Sequence, residues 1–176
     1  MTVHNQDERY KSAAAEFGRA LERLARGYEA DSNLRSDLLQ EIHVALWKSL
    51  ESFDGRCSMR TWVYRVAHNA ASSYVIRRRR THAGKAVSLD EVAEAIASGS
   101  PEEIATEAEA LSQLTQLVQS LNPLDREVIL LYLEDLDAAV IGEITGMSAG
   151  AIATRIHRIK AILAKRFQDE GGRNGI

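Results

Sequence analysis

The sequence predicts an all-α protein, built as two small helical units. Apolar residues recur at helical spacing, Pro is scarce at 2 and aromatics are scarce at 6%, and Ala, Leu, Glu and Arg are abundant. A chain of 176 residues, 45% hydrophobic, is long enough for one ordinary domain or two small ones. With 27% charged residues, neither a disordered chain nor a membrane protein is the default class.

The first predicted helix runs from about Ser12 to Tyr28, where Phe17, Leu21, Leu24 and Tyr28 make one apolar stripe in need of a partner. The second opens at Asp37, with Gln40 at capping-box spacing, and repeats Leu39, Ile42, Leu46 and Leu50 on one face. Gly55 breaks the pattern in the loop Phe53–Ser58, and Ser58 is placed to accept the first free amides of the next helix. In that third helix Met59, Trp62, Val63, Val66, Ala67 and Ala70 form the expected buried stripe. Arg60, Tyr64, Arg65, His68, Asn69 and Ser73 are left on the polar side, the candidate surface for binding.

From Thr81 to Ser100 small and acidic residues, punctuated by Gly84, Gly99 and Pro101, predict a flexible linker with a short helix near Leu89 to Ala97. A longer helix follows to about Ser120. Leu121-Asn122-Pro123 ends it and starts another, with Val128, Leu131 and Tyr132 on its apolar side, to about Glu134. Ile141 and Ile144 precede the turn Gly146-Met147-Ser148, and Ile152, Ile156, Ile159 and Leu163 then fall on one stripe, a helix-turn-helix pattern. Opposite that stripe lie Thr154, Arg155, His157, Arg158 and Lys160, residue types that meet phosphates and base edges in a major groove. A generic surface helix has the same appearance.

The net charge of -3 hides a segregation. Arg56, Arg60, Arg65, Arg77, Arg78, Arg79, Arg80 and Lys85 are opposed only by Asp54. The stretch from Val87 to Ser120 carries acids and no Lys or Arg, and Ala149 to Gln168 carries Arg155, Arg158, Lys160, Lys165 and Arg166. Two basic modules around an acidic connector suit two contacts with a polyanion; the alternative for each block is a solvated helix face, and for Arg77–Arg80 a complement to the helix dipole.

The sole cysteine, Cys57, makes no internal disulfide. In a basic loop it is a conceivable redox sensor, but a single loop cysteine is more often inert. No apolar run approaches the roughly 20 residues of a membrane span and the chain starts polar, so a cytoplasmic protein without membrane insertion is expected. The five histidines lack metal-ligand spacing, and no phosphate-cradling glycine loop or Ser/His/Asp arrangement is present, so neither an enzyme nor a metal or cofactor is expected.

These segments resemble one family, the extracytoplasmic-function (ECF) group of bacterial RNA polymerase sigma factors. Asp37-Leu38-Leu39-Gln40-Glu41-Ile42, Leu46-Trp47-Lys48-Ser49-Leu50, Ser52-Phe53-Asp54-Gly55 and Arg60-Thr61-Trp62-Val63-Tyr64-Arg65-Val66-Ala67-His68-Asn69-Ala70 look like region 2. Leu121-Asn122-Pro123-Leu124-Asp125-Arg126-Glu127, Ile141-Gly142-Glu143-Ile144 and Arg155-Ile156-His157-Arg158 look like region 4. The resemblance implies a promoter-specificity subunit with region 2 over 10–82, an acidic linker over 83–112, region 4 over 113–168 and a disordered tail over 169–176.

It further implies that Asp37, Gln40 and Glu41 dock on core RNA polymerase, although Asp37 alone reads equally as a helix cap. Phe53, Asp54, Gly55, Arg56, Arg65, His68 and Asn69 would read and open the minus-ten element of promoter DNA, recovering the few kcal/mol lost when a base leaves the stack. Thr154, Arg155, His157, Arg158 and Lys160 would serve the minus-thirty-five element. An anti-sigma factor is an implied partner, and the acidic linker suits either nucleic-acid mimicry in a polymerase channel or ordinary solvated disorder. Ala151 and Ala153 depart from the family's polar pattern in the recognition helix, as Ala138-Ala139-Val140 does in the helix before it. These departures motivate an alternative, a sigma-like decoy that binds an anti-sigma factor without driving transcription. A self-sufficient helix-turn-helix repressor is a third reading, disfavoured by the acidic linker.

Overall fold

In a computed structural model the described residues are 3–81 and 107–171. They form α1 (Val3–Tyr28), α2 (Ser32–Ser49), α3 (Met59–Thr81), α4 (Glu107–Ser120), α5 (Pro123–Leu133), α6 (Ala138–Thr145) and α7 (Ala149–Gly171). The short helix expected near Leu89 to Ala97 and most of the linker lie outside the described residues, as do tail residues 172–176. Helix α4 already takes in 107–112, and α7 extends to Gly171.

The first three helices pack as a bundle. Phe17, Leu21, Leu24 and Tyr28 are buried as their spacing requires, against Leu38, Ile42, Leu46 and Leu50 of α2 and its C-cap. Helix α1 starts well before Ser12 because tertiary contacts hold its polar first turns: Gln6 donates to the Trp47 carbonyl (2.7 Å), Trp47 Nε1 to Asp7 (2.8 Å) and Arg9 to the Phe53 carbonyl (3.3 Å). Helix α2 begins at Ser32, not at Asp37. The cap is Asp31, whose carboxylate accepts from the amides of Asn33 (2.9 Å) and Leu34 (3.0 Å) in an extended backbone conformation, leaving Asp37 one turn inside.

The buried stripe of α3 is rotated from the expected one. Val63, Tyr64, Ala67, His68, Ala71 and Tyr74 face the core, whereas Met59, Trp62, Val66 and Ala70 are only half-buried. The rotation pays because each polar group carried inward finds a partner: Tyr28 Oη and His68 Nδ1 hydrogen-bond at 3.0 Å, Tyr74 donates to the Leu34 carbonyl (3.1 Å) and Tyr64 to Glu134 (3.1 Å).

In the second bundle Asn122 caps α5, accepting from the Asp125 amide (3.0 Å), with Pro123 in the first turn as its fixed φ favours. Asp137 caps α6, and Gly146 ends it at φ 78, a left-handed position that glycine occupies without steric cost. Ile152, Ile156 and Ile159 are buried and Leu163 half-buried, so the stripe of α7 is the expected one. Arg126 is a buried charge with ready partners: its guanidinium donates to the carbonyls of Val118 (3.2 Å), Leu121 (3.0 Å) and Gln119, capping α4 with a cation at the negative end of its dipole.

The two bundles are packed together. One buried apolar cluster continues from Leu21 and Tyr28 of the first into Val128, Leu131, Ile141 and Ile152 of the second, and a smaller one joins Val118, Leu121, Ile129 and Ile159. Gly27 lets α1 approach α5 closely; a Cβ there would sit 2.5 Å from a methyl of Leu130.

Candidate nucleic-acid interface

The loop between α2 and α3 is a shaped element. Gly55 sits at φ 77. Asp54 accepts from the Arg56 amide (3.1 Å) and pairs with its guanidinium (2.9 Å), a turn that Asp favours. Ser58 accepts from the Thr61 amide (3.0 Å), closing the first turn of α3 as its sequence position suggested. Phe53 is half-buried, its ring edge-on to Trp62 at 5.3 Å, so it anchors the loop, and Trp62 in turn donates to Ser49 (3.0 Å). Asp54, Gly55, Arg56 and Asn69 are exposed. Asp54, Arg56, Cys57, Trp62 and Arg65 line one open groove of about 420 Å³, closed on its far side by Glu143 of α6.

His68 does not belong to this surface. It is 1% exposed, and burial pushes its pKa down to about 3, so it is a neutral core imidazole bonded to Tyr28. The expectation that it faces DNA fails because the helix face was assigned by hydrophobicity alone. An uncharged His with a hydroxyl partner buries at little cost.

Asp37, Gln40 and Glu41 are exposed on α2, with Val44 beside them 52% exposed, and Glu41 pairs with Arg77 of α3. This face carries acceptors and one apolar contact, a composition suited to a protein partner.

On α7, Thr154, His157, Arg158 and Lys160 are exposed, with Ala153 among them. Thr154 Oγ1 donates to the Gly150 carbonyl (2.9 Å), leaving its methyl and a lone pair outward. Lys160 lies over the Tyr132 ring at 5.2 Å and donates to its hydroxyl (3.1 Å). Arg155 is engaged inward: it pairs with Asp125, which is 2% exposed, and so braces α7 on α5. The structure thus brings the loop residues and Asn69 together on the first bundle and the α7 residues on the second, and withdraws His68, Phe53 and most of Arg155. Two contacts were missed by sequence reasoning, the Arg155–Asp125 strut and the ties of the Glu134 side chain; an acid in the first turn of α5 and another at its C-cap were the available signal.

Among the described residues no group of His, Cys, Asp and Glu is arranged to hold a metal, and no helix is long and apolar enough to cross a membrane.

Comparison with known proteins matches residues 14–81 to the Sigma-70 region 2 model and residues 111–163 to the Sigma-70 region 4 model. The chain is 28% identical over 140 residues to the ECF RNA polymerase sigma factor SigW of Bacillus subtilis, covering 76% of this chain and 75% of SigW. It is 27% identical over 139 residues to the ECF RNA polymerase sigma-E factor of Escherichia coli, covering 75% and 73%. Its fold is similar to that of the sigma factor RpoE in a co-crystal structure with the anti-sigma factor NepR from Bartonella quintana. The TM-score is 0.67 at 19% identity, covering 90% of this chain and 96% of that one. It is also similar to CnrH in complex with the cytosolic domain of CnrY, at TM-score 0.64 and 21% identity, covering 92% and 88%.

Proposed function

Because the chain belongs to the ECF group of the sigma-70 family and so to promoter-specific transcription initiation, we propose that it binds core RNA polymerase, reads minus-ten and minus-thirty-five elements and opens the former. The observation that carries this reading is the pair of separately built surfaces, the turn at Asp54–Arg56 with Asn69 and the outer face of α7, each on a matched region.

In the minus-ten role, Arg65 and Arg56 supply charge to the displaced strand, while Asp54, Gly55 and Asn69 line the place of an extruded base. The rigid turn limits the entropy lost on binding, and Phe53 contributes by fixing that turn on Trp62. In the minus-thirty-five role, Arg158, Thr154 and His157 face base edges, Lys160 meets phosphate, and Arg155 orients the helix through Asp125. Asp37, Gln40 and Glu41 form the polymerase-docking face. The division 10–82, 83–112 and 113–168 follows these roles, with the chain acting where polymerase is, in the cytoplasm, and without catalysing a reaction. An anti-sigma factor is the proposed inhibitor, by analogy with the complexes of RpoE with NepR and of CnrH with CnrY.

The test is run-off transcription on fragmented genomic DNA with core polymerase, with and without the protein. RNA starts that share two spaced motifs and need the protein support the reading; no new starts despite binding to core polymerase favour the decoy. Asn69→Ala should retain polymerase binding and lose promoter opening.

A further inference from the structure

The loop assigned to the minus-ten element is held by a different device at each point along its length. Downstream, Ser58 accepts from the Thr61 amide (3.0 Å) and joins the loop to α3. At the tip, Gly55 at φ 77 and the bond from the Arg56 amide to Asp54 (3.1 Å) shape the backbone locally. Upstream, the Ser52 amide still reaches the Ser49 carbonyl (3.0 Å), and the chain then leaves its helical support at Phe53. The Phe53 ring lies edge-on to Trp62 at 5.3 Å, a contact that locates the side chain but not the peptide that follows it.

That peptide is held from another helix. Arg9 of α1 extends its guanidinium to the Phe53 carbonyl (3.3 Å), 44 positions along the chain. A peptide unit is planar, so a carbonyl fixed in direction also fixes the amide of the next residue. Here that residue is Asp54, the first of the turn assigned to base reading. A charged donor on a carbonyl makes a stronger bond than a neutral one, and the long arginine stem carries it from a helix surface to a neighbouring loop.

Arg9 holds the loop only if the first turns of α1 keep a fixed place, and polar turns at a helix end fray unless they are tied down. They are seated on α2. Gln6 donates to the Trp47 carbonyl (2.7 Å), and Trp47 Nε1 donates to Asp7 (2.8 Å). The Tyr10 hydroxyl and His43 Nδ1 hydrogen-bond at 3.0 Å, with their rings edge to face. Gln6, Asp7, Arg9 and Tyr10 are all half-buried, so these bonds are partly shielded from water. All four precede residue 14, where the match to region 2 begins.

We propose that Arg9 is a positioning residue for minus-ten recognition: from the seated first turns of α1 it holds the Phe53 carbonyl and so sets the orientation of the Asp54–Arg56 turn. The consequence for DNA rests on the promoter role proposed above, whereas the hold on the loop is a property of the free chain.

The test uses the full chain with two substitutions at this one position. Arg9→Met keeps a long stem of similar helix propensity and removes every donor, and Arg9→Lys keeps a charged donor. In the free chain, NMR relaxation should give backbone order parameters near ~0.85 at Asp54, Gly55 and Arg56 in the parent and in Arg9→Lys, and below ~0.6 in Arg9→Met. With core polymerase and promoters randomised across the minus-ten element, Arg9→Met should lose roughly five- to tenfold in base discrimination at the position the loop reads, the scale of one hydrogen bond. Arg9→Lys should restore most of it. Core polymerase affinity and base preference at the minus-thirty-five element should match the parent in both variants, which separates a misplaced loop from a damaged fold. A loop as rigid in Arg9→Met as in the parent, or a mobile loop with unchanged base preference, would overturn the proposal. Loss of preference at both elements together would overturn it too, as the mark of general destabilisation. If the parent itself drives no starts, the promoter reading falls, and the relaxation comparison still decides whether Arg9 holds the loop.

Discussion

Glu127, half-buried, and His68, fully buried, are titratable groups that pull stability in opposite directions with pH. Burial raises the Glu127 carboxyl to about 7 and lowers the His68 imidazole to about 3. For the acid, the native state holds a proton more tightly than the unfolded chain. Its stabilising contribution is therefore complete below the ordinary value of 4.5 and is lost as pH rises through about 7. For the histidine, the unfolded chain takes up the proton first, so its contribution is complete above 6.5 and falls as pH drops toward about 3. Between about 4.5 and 6.5 the two slopes oppose, each near 1.4 kcal/mol per pH unit. His43, whose pKa burial also lowers, adds to the histidine side, so chemical denaturation should find Glu127→Gln losing stability more steeply than the parent chain as pH drops through that window; equal slopes in the two would refute the contribution of Glu127. Arg155 carries a second prediction. Truncation to Ala leaves Asp125 buried without its cation, and because Arg155 is itself 35% exposed the expected loss is a discounted ~1–3 kcal/mol, read as a shift in denaturation midpoint.

The helix-turn-helix is the element whose geometry is least forgiving. A Cβ on Gly142 would stand 2.6 Å from the backbone carbonyl oxygen of Met147, so Gly142→Ala must displace the turn and should unfold α6 and α7 more than its change in size suggests. Asp137→Ala removes the acceptor for the amides of Ala139 and Val140 (both 2.9 Å) and should cost about 1 kcal/mol without altering the turn. Circular dichroism with denaturation separates the two, and a Gly142→Ala chain as stable as Asp137→Ala would contradict the clash. On the outer face of α7, Lys160→Ala should weaken minus-thirty-five duplex binding almost uniformly across sequences and reduce the salt slope by about one, whereas Arg158→Ala should relax sequence preference. Titration of matched and mismatched duplexes over a range of salt distinguishes a phosphate contact from a base contact.

Across the whole molecule the two bundles share one buried cluster and are joined by charged ties, Arg23 with Glu134 foremost. Since Arg23 is 57% exposed, the tie is screened by ions, and rising salt should lower the stability of the parent chain slightly, read as a shift in denaturation midpoint. In Glu134→Ala that dependence should be nearly absent; a dependence as steep as the parent's would place the electrostatic hold elsewhere.

Local features carried most of the architecture. The stripes Phe17–Tyr28 and Ile152–Ile159, Pro123 after Asn122 and Gly146 at the turn each fix an element through interactions within a few residues, so their outcome is readable from spacing. The outer face of α7 and the turn at Asp54–Gly55 were legible for the same reason. Three features needed the packed chain. Helix α3 turned His68 inward because Tyr28, forty residues away, offers it a partner, and α2 began at Ser32 because Asp31, not the acidic residue inside the helix, meets the free amides. The docking of one bundle on the other depends on Glu134 meeting Arg23 across 111 positions of chain, and the chemistry of neither residue is distinctive until the fold makes them neighbours.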